Sequence, residues 1–476
     1  MEEIVVKKST LYVDLDGTFT KSDMLFESLI IAIKNNPLVF FLCLVWLFKG
    51  RAHLKYQLSQ RADIPTKLLP LNPELYKFLL EEKANGRKLI LATASSEKYA
   101  ANICNDFKLF DSYISSDINT NLKGSTKLSK IQSMTKHFSY AGNSSEDFVI
   151  FEKCDESYLV NPTKKAKRLA ITSPPSKTLD DPSRNLLVWM KQLRIHQWIK
   201  NVLIFVPLIV SGYFLDQNSI TTSVLGFLSF SFLASATYII NDLLDLESDR
   251  NHFRKKNRPL AAGTISLIEG KFLALILFVL AFTIALMLSD LFALVLGFYL
   301  VLTLSYSFKL KQHIGMDIVA LASLYTLRII AGAVILNVTM SFWLLSFSMF
   351  IFFSLAIIKR CAELKLLEGA GKKTSSGRDY EVEDYLMLMS IGVSSAMISV
   401  LMFCFYVNSN VLADQYQQPT LLWLVVPVLC YWLIRMWAKT HRGMMHDDPI
   451  VFSMKDKGSI VTIGFMGLIA LLAQIL

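Results

Sequence analysis

The sequence predicts two folds in one chain: an α/β domain with a helical cap, then an all-α bundle of nine transmembrane helices. Three observations carry this. Hydrophobic residues make up 53% of the 476 positions, and the mean hydropathy of +0.41 lies in the membrane-protein range. The apolar excess begins only after about residue 180, in runs near membrane-spanning length. Before it, short apolar strands run into acidic or Ser/Thr-rich turns, as in open parallel sheets that bind ligands at the carboxyl ends of their strands. So long a chain exceeds one ordinary core. The expected boundaries are 1–172 for the α/β domain, 173–190 for a linker rich in Pro and Ser, and 191–476 for the bundle.

The net charge of +10 invites a nucleic-acid reading. The basic residues lie beside apolar segments, however, so they orient the chain in a bilayer and no nucleic-acid partner is expected. The six cysteines show neither metal spacing nor a paired framework, which fits reduced thiols in a cytoplasmic domain. The start MEEIVVKKST lacks the basic onset and apolar core of a signal peptide.

In order along the chain, LYVDLDGTFT reads as a buried strand ending at Asp14, Asp16, Gly17 and Thr18. KLILATASS is a second strand, ending at Thr93. Lys127 precedes a helix in KGSTKLSK, and FSYAGNSSED is a third strand leading to Asn143 and Asp147. These pieces, and DxDGT above all, resemble the haloacid dehalogenase (HAD) superfamily, a Rossmannoid fold with many phosphatases. The resemblance implies Asp14 as the nucleophile that forms an aspartyl-phosphate and Asp16 as the general acid/base. A carboxylate nucleophile splits phosphate transfer into two easier steps. It also implies Thr93 as a phosphate ligand, Lys127 as the counter-charge, and Mg²⁺ held by Asp14, Asp16 and Asp147. This chain departs from the pattern at Asn143, where the family places a first acid.

Residues 22–71 are the expected cap. Within them, Leu38–Phe48 (LVFFLCLVWLF) is strongly apolar but short for a span. It is either a packed cap helix or an element resting on the membrane, with the basic RAHLK after it suited to the interface.

Nine spans are expected near 199–214, 220–241, 270–288, 290–308, 316–336, 341–359, 386–407, 420–437 and 459–476. Lys- and Arg-rich connections alternate strictly with connections that have neither. The positive-inside rule then puts the N-terminal domain and every charged loop in the cytoplasm and the C-terminus outside, in a bacterial-type inner membrane.

The loop Asn241–Gly263 leaves the second expected span carrying Asn241, Asp242, Asp245 and Asp249. On a continuing helix these three acids share one face. Clustered carboxylates need a partner, and hard oxygen ligands suit Mg²⁺. His252, Lys255 and Arg258 follow, so a Mg²⁺-borne diphosphate would find both metal and cations there. The plain alternative is a solvated loop. Tyr306, Lys309, Lys311 and Asp317 form a second polar group, and Asp317 begins a span that contains Arg328. An ionisable residue inside a span marks a functional site unless it is a buried structural pair. Lys200 and Asn201 stand at the head of the first span, within reach of a phosphate or the acids. Asp447, Asp448 and Asp456 read as capping or solvated residues outside the site.

The motif NDxxDxxxD with nine spans resembles the UbiA superfamily of membrane prenyltransferases, from about Lys191 onward. QWIKN, DRNHFRKKNRPLAAG, YSFKLK with Asp317, LRIIAGAV and KRCAEL resemble its decaprenyl-phosphate phosphoribosyltransferase branch, with Phe253 where that branch would have Pro. The branch implies transfer of phosphoribose from phosphoribosyl diphosphate to a polyprenyl phosphate, with Asp242, Asp245 and Asp249 on Mg²⁺ and the basic groups neutralising the leaving diphosphate. The implied partners are a polyprenyl lipid, a diphosphate-bearing co-substrate and membrane lipids. An aromatic prenyltransferase acting in quinone-type lipid synthesis is the near alternative. A membrane-anchored HAD phosphatase or regulator is the alternative of another class.

Overall fold

The computed structural model describes residues 9–179, 185–371, 373–374, 378–409, 412, 416–445 and 448–475. It separates into two compact units, residues 1–193 with 239–273, and residues 194–238 with 274–476.

The first unit is built on six parallel strands in the order β3-β2-β1-β4-β5-β6. They are β1 (Thr10–Val13), β2 (Leu89–Ser96), β3 (Ser112–Ser116), β4 (Phe138–Gly142), β5 (Ser157–Val160) and β6 (Lys177–Leu179). Leu11, Tyr12 and Val13 are fully buried because β1 is flanked by β2 and β4 and covered on both faces. Strand order reverses between β1 and β4, so the carboxyl ends of these two strands open a crevice there. β2 runs past Thr93 to Ser96, with an irregularity against β3 between Ala92 and Ser96. β6 and the helix Leu186–Leu193 occupy much of the expected linker, which corrects it. The short KTL run pairs with β5 and so extends the sheet, where its Pro and Ser neighbours had suggested only a connection. Residues 180–184 lie outside the described residues.

Between β1 and β2 the insertion is helical: α1 (Met24–Asn35), α2 (Val39–Phe48) and α3 (Arg51–Arg61). Asp23 caps α1 by accepting from the N–H groups of Leu25 and Phe26. Ala32, Val39, Trp46 and Leu58 tie the three helices into a small core of their own.

In the second unit the core lies where Met316–Ile335 and Phe342–Gly369 pack with Val425–His441. Among the described residues of the whole chain, eight helices are long and apolar enough to cross a membrane, or nine if the bent pair Leu186–Leu193 and Ile195–Val210 is one span. This corrects the first expected span. Residues 195–205 form a 3₁₀ helix, followed by the short helix Val206–Val210. Pro207 has no N–H to extend a ladder back into the preceding turn. Gly332 is required where that segment crosses Met316–Ile335, since a Cβ there would collide with the Ile204 carbonyl.

Candidate functional site

Three clusters carry the chemistry. In the first unit, Asp14 follows β1 directly and Asp16 lies two residues on, in a turn that Gly17 closes at φ +76°. A Cβ at Gly17 would collide with the Asn143 side chain, so only glycine fits this turn. Lys127, in the first turn of the helix Ser125–Met134, donates to Asp14 Oδ1 at 2.7 Å and to the Tyr140 hydroxyl at 2.9 Å. Asp16 accepts from the Met24 N–H at 2.8 Å and from Ser95 Oγ at 2.7 Å. Burial pushes both carboxyls up to about 6. For Asp14 the Lys127 ammonium opposes burial and Asp147 and Asp16 reinforce it; for Asp16 the nearby Asp23 reinforces it. Burial also lowers the Lys55 ammonium, against the pull of Asp16 and Asp23.

Asp147, expected as a metal ligand, lines the same cavity as Asp14 and Asp16 and also holds the loop after β4. Its Oδ1 accepts from Tyr140 at 3.0 Å, and its Oδ2 accepts from the Asn143 N–H, the Ser144 N–H and Ser144 Oγ at 2.8–3.1 Å. Thr93 is fully buried and accepts from the Ser95 N–H at 2.9 Å, so it shapes the turn while Ser95 reaches Asp16. Asp14, Asp16, Lys127 and Asn143 face a cavity of about 1090 Å³. Its wall also takes in Leu47, Arg51 and Leu54 of the cap and Gly263–Glu269 of the charged loop, all within this unit. Two buried carboxylates and an amide oxygen are the hard donors that suit a Mg²⁺ ion, and a divalent cation would relieve the raised affinity of these acids for protons.

The second cluster is the acidic loop. The helix Gln217–Leu244 stops short of Asp245, and Leu246–Asn251 resumes after it. The expected straight acidic face is therefore broken at its middle acid, whose backbone leaves helical angles (φ −103°, ψ 16°). Asp242 and Asp249 are buried and converge on one guanidinium: Arg258 donates to Asp242 Oδ1 at 3.0 Å and to Asp249 Oδ2 at 2.6 Å. Gln192 donates to the other oxygen of Asp242 at 3.3 Å. Asp245 is half-buried, His252 is exposed and accepts from the Arg254 N–H at 3.1 Å, and Lys255 is half-buried. Among the described residues no three Asp, Glu, His or Cys are grouped to hold a metal, and here Arg258 stands between the two buried acids. The donor set nevertheless fits a hard cation, since two dehydrated carboxylates already share one positive charge. Next to Asp249, Arg250 forms a buried ion pair with Glu27 of α1 at 2.6 Å, and Glu27 also bonds Ser22. No pattern in the sequence linked these two stretches, 223 residues apart.

The third cluster lies in the second unit. Asp448, expected as a capping or solvated residue, does accept from the Ile450 N–H at 3.2 Å. It also gathers Lys200 at 2.8 Å, Lys359 at 3.3 Å and the Tyr325 hydroxyl at 2.9 Å. Asp447 lies outside the described residues. Arg328, inside its span, donates to Asn201 Oδ1 at 2.9 Å and to the Leu324 carbonyl, and lies over the rings of Phe230, Tyr299 and Tyr325. Asp317 requires a correction. It is fully buried, with one oxygen on Arg360 and the other on the Tyr380 hydroxyl. Arg360 further donates to Glu363 at 2.5 Å and to Tyr306 at 3.0 Å. Asp317 is thus enclosed in an ion-pair network that continues through Glu363 to Arg378, with Tyr306 half-buried beside it. Lys309 is exposed and Lys311 half-exposed on the following turn.

Eight long apolar helices among the described residues, with two buried and paired acids where one of them ends, define an integral membrane protein. Comparison with known proteins names the family. The model for the UbiA prenyltransferase family matches residues 204–455, and this chain belongs to that family. An uncharacterized protein of Sinorhizobium fredii is 37% identical over 95% of this chain and 89% of its own length. The decaprenyl-phosphate phosphoribosyltransferase of Corynebacterium glutamicum is 33% identical over 48% of this chain and 72% of its own length. A solved UbiA homologue of Archaeoglobus fulgidus, bound to GPP and Mg²⁺, is 18% identical over 60% of this chain and 99% of its own, with a TM-score of 0.46. The chain is therefore an integral membrane protein of transferase type, fused to an N-terminal domain built on a six-stranded parallel sheet.

Proposed function

We propose that this protein transfers phosphoribose from phosphoribosyl diphosphate to a polyprenyl phosphate, and that its HAD-like domain then removes the 5′-phosphate. The observation that carries the transferase reading is the pair of buried carboxylates, Asp242 and Asp249, compensated by the single half-buried Arg258. The Arg258 side chain is 28% exposed, so the acids can exchange it for another cation. A Mg²⁺–diphosphate brings a cation for the acids and an anion for the guanidinium together. Asp242, Asp245 and Asp249 would hold the ion, which supplies Lewis-acid polarisation of the leaving diphosphate. Arg258, released from the acids, and Lys255 would neutralise the charge that develops on the departing oxygens. Similarity to a decaprenyl-phosphate phosphoribosyltransferase supports a sugar diphosphate over a prenyl diphosphate as donor. The HAD-like domain and the charged loops would face the cytoplasm, with the C-terminus outside.

In the HAD-like domain Asp14 would attack phosphorus while Asp16 protonates the departing ribose oxygen. Water would then attack the aspartyl-phosphate, with its proton passing to Asp16. Mg²⁺ on Asp14, Asp16 and Asn143 would shield the phosphate charge. Fusion keeps the two activities at high effective concentration.

The test incubates purified protein with Mg²⁺, polyprenyl phosphate and radiolabelled phosphoribosyl diphosphate. Label should enter the lipid phase with native protein and not with Asp242→Asn. Lipid labelled equally by both proteins would overturn the transferase reading. With Asp14→Asn the lipid should keep its phosphate; unchanged phosphate release would overturn the phosphatase reading.

A further inference from the structure

Helix α2 is apolar on almost every side. No residue from Leu38 to Phe48 is charged. Val39, Cys43 and Trp46, spaced four and three apart, form one seam against α1 and α3. Outside that seam Phe40, Phe41, Leu44, Val45 and Phe48 are all more than half exposed, Phe48 by 94%. Water would be a poor neighbour for five such side chains, at roughly 25 cal/mol per Å² of apolar surface. A protein partner would be matched by a polar rim, and α2 has none. Acyl chains ask for no polar group, and a bilayer necessarily borders a chain with eight helices of spanning character. Ten residues of helix extend about 15 Å, half of the hydrocarbon thickness, so α2 can lie in the interface but not cross it. Lys49, Arg51 and His53 follow at once, placed for anionic headgroups. The same stretch walls the cavity beside Asp14, through Leu47, Arg51, Leu54 and Lys55.

We propose that α2 is an in-plane membrane anchor, and that the cavity it walls takes the phosphomonoester of a lipid still embedded in the bilayer. The substrate half rests on the phosphatase reading above; the anchor half does not. Held at the interface by Phe40, Phe41, Leu44 and Phe48, the cavity mouth lies one or two helical turns from the headgroups. A lipid then presents its phosphate to Asp14 without leaving the membrane, with its apolar part along Leu47 and Leu54.

The test uses the full chain in vesicles of phosphatidylcholine and phosphatidylglycerol. An environment-sensitive fluorescent amino acid is placed at position 41, 48 or, as a control on the α/β core, 171, where Ile171 is 82% exposed. Emission from 41 and 48 should be quenched by brominated acyl chains and shielded from aqueous iodide, and 171 should behave oppositely. Iodide quenching at 41 and 48 equal to that at 171 would overturn the anchor. Shielding from iodide without bromine quenching would mean that protein covers the helix, and would overturn it too. In the second arm, Phe40, Phe41 and Leu44, none of which lines the cavity, are replaced together by Ser. Hydrolysis of a vesicle-borne lipid phosphomonoester should fall about tenfold with p-nitrophenyl phosphate hydrolysis unchanged. An equal change for both substrates would overturn the substrate half. Hydrolysis of neither by the native chain would remove the phosphatase reading itself and the substrate half with it, while the fluorophores still decide the anchor.

Discussion

Asp242 and Asp317 stand in similar sequence settings, each an acid at a span end among basic residues, yet the structure treats them oppositely. Asp242 shares the Arg258 guanidinium with Asp249, and the Arg258 side chain remains 28% exposed. Asp317 is fully enclosed and its partner Arg360 is only 1% exposed. Arg360 is also held by Glu363 and Tyr306. The difference teaches where function resides. A cation that solvent can reach can be exchanged for a metal and a substrate; a cation sealed within its own network can only hold the fold. Acid content alone does not separate these cases, but the exposure of the partner does.

The largest effect should come from opening the sealed network. Arg360→Met leaves the buried Asp317 without its guanidinium, while Glu363 keeps Arg378, and should cost about 3–5 kcal/mol of stability, read as a lower melting temperature in detergent. Adding Asp317→Leu should recover most of that loss; if it does not, Asp317 has a role besides pairing with Arg360. Next, Asp249→Asn should reduce lipid labelling at least about a hundredfold with melting nearly unchanged, and a comparable loss of stability instead would place Asp249 with Asp317. Arg258→Gln should lower transfer about tenfold and leave the acids able to bind Mg²⁺; a Mg²⁺ titration followed by transfer rate separates the two effects. The smallest effect on transfer belongs to Asp14→Asn, which should change labelling less than twofold, since its chemistry follows transfer; a large fall would show that the HAD-like domain acts before it.

Much of this was legible in the sequence, for reasons that differ by region. DLDGT after an apolar run fixed the end of a central strand, because a tight turn through Gly17 is a local requirement. The long apolar runs marked the spans by length alone. What stayed hidden was long-range pairing. Nothing near Asp448 announces Lys200, 248 residues away in the chain, and a capping role explained the residue well enough. In the sequence Asp317 reads as a substrate ligand because its partner Arg360 lies on another helix, and only packing reveals the buried pair. Hydropathy does not register Pro207 or a 3₁₀ turn, so the break in the first span is invisible in the sequence. The family pattern marks Asp147 as a metal ligand, but only the structure adds the loop that it holds through Tyr140, Asn143 and Ser144.

The central claim is that Asp242 belongs to an exchangeable site and Asp317 to a sealed one. Calorimetric titration of Mg²⁺ and phosphoribosyl diphosphate into Asp242→Asn and Asp317→Asn, each with its melting temperature, tests it most directly. Asp242→Asn should melt close to the native protein and bind no donor. Asp317→Asn should melt lower, yet bind the donor with native affinity in its folded fraction. Native-like binding by Asp242→Asn, or lost binding by an Asp317→Asn protein of unchanged stability, would contradict the account.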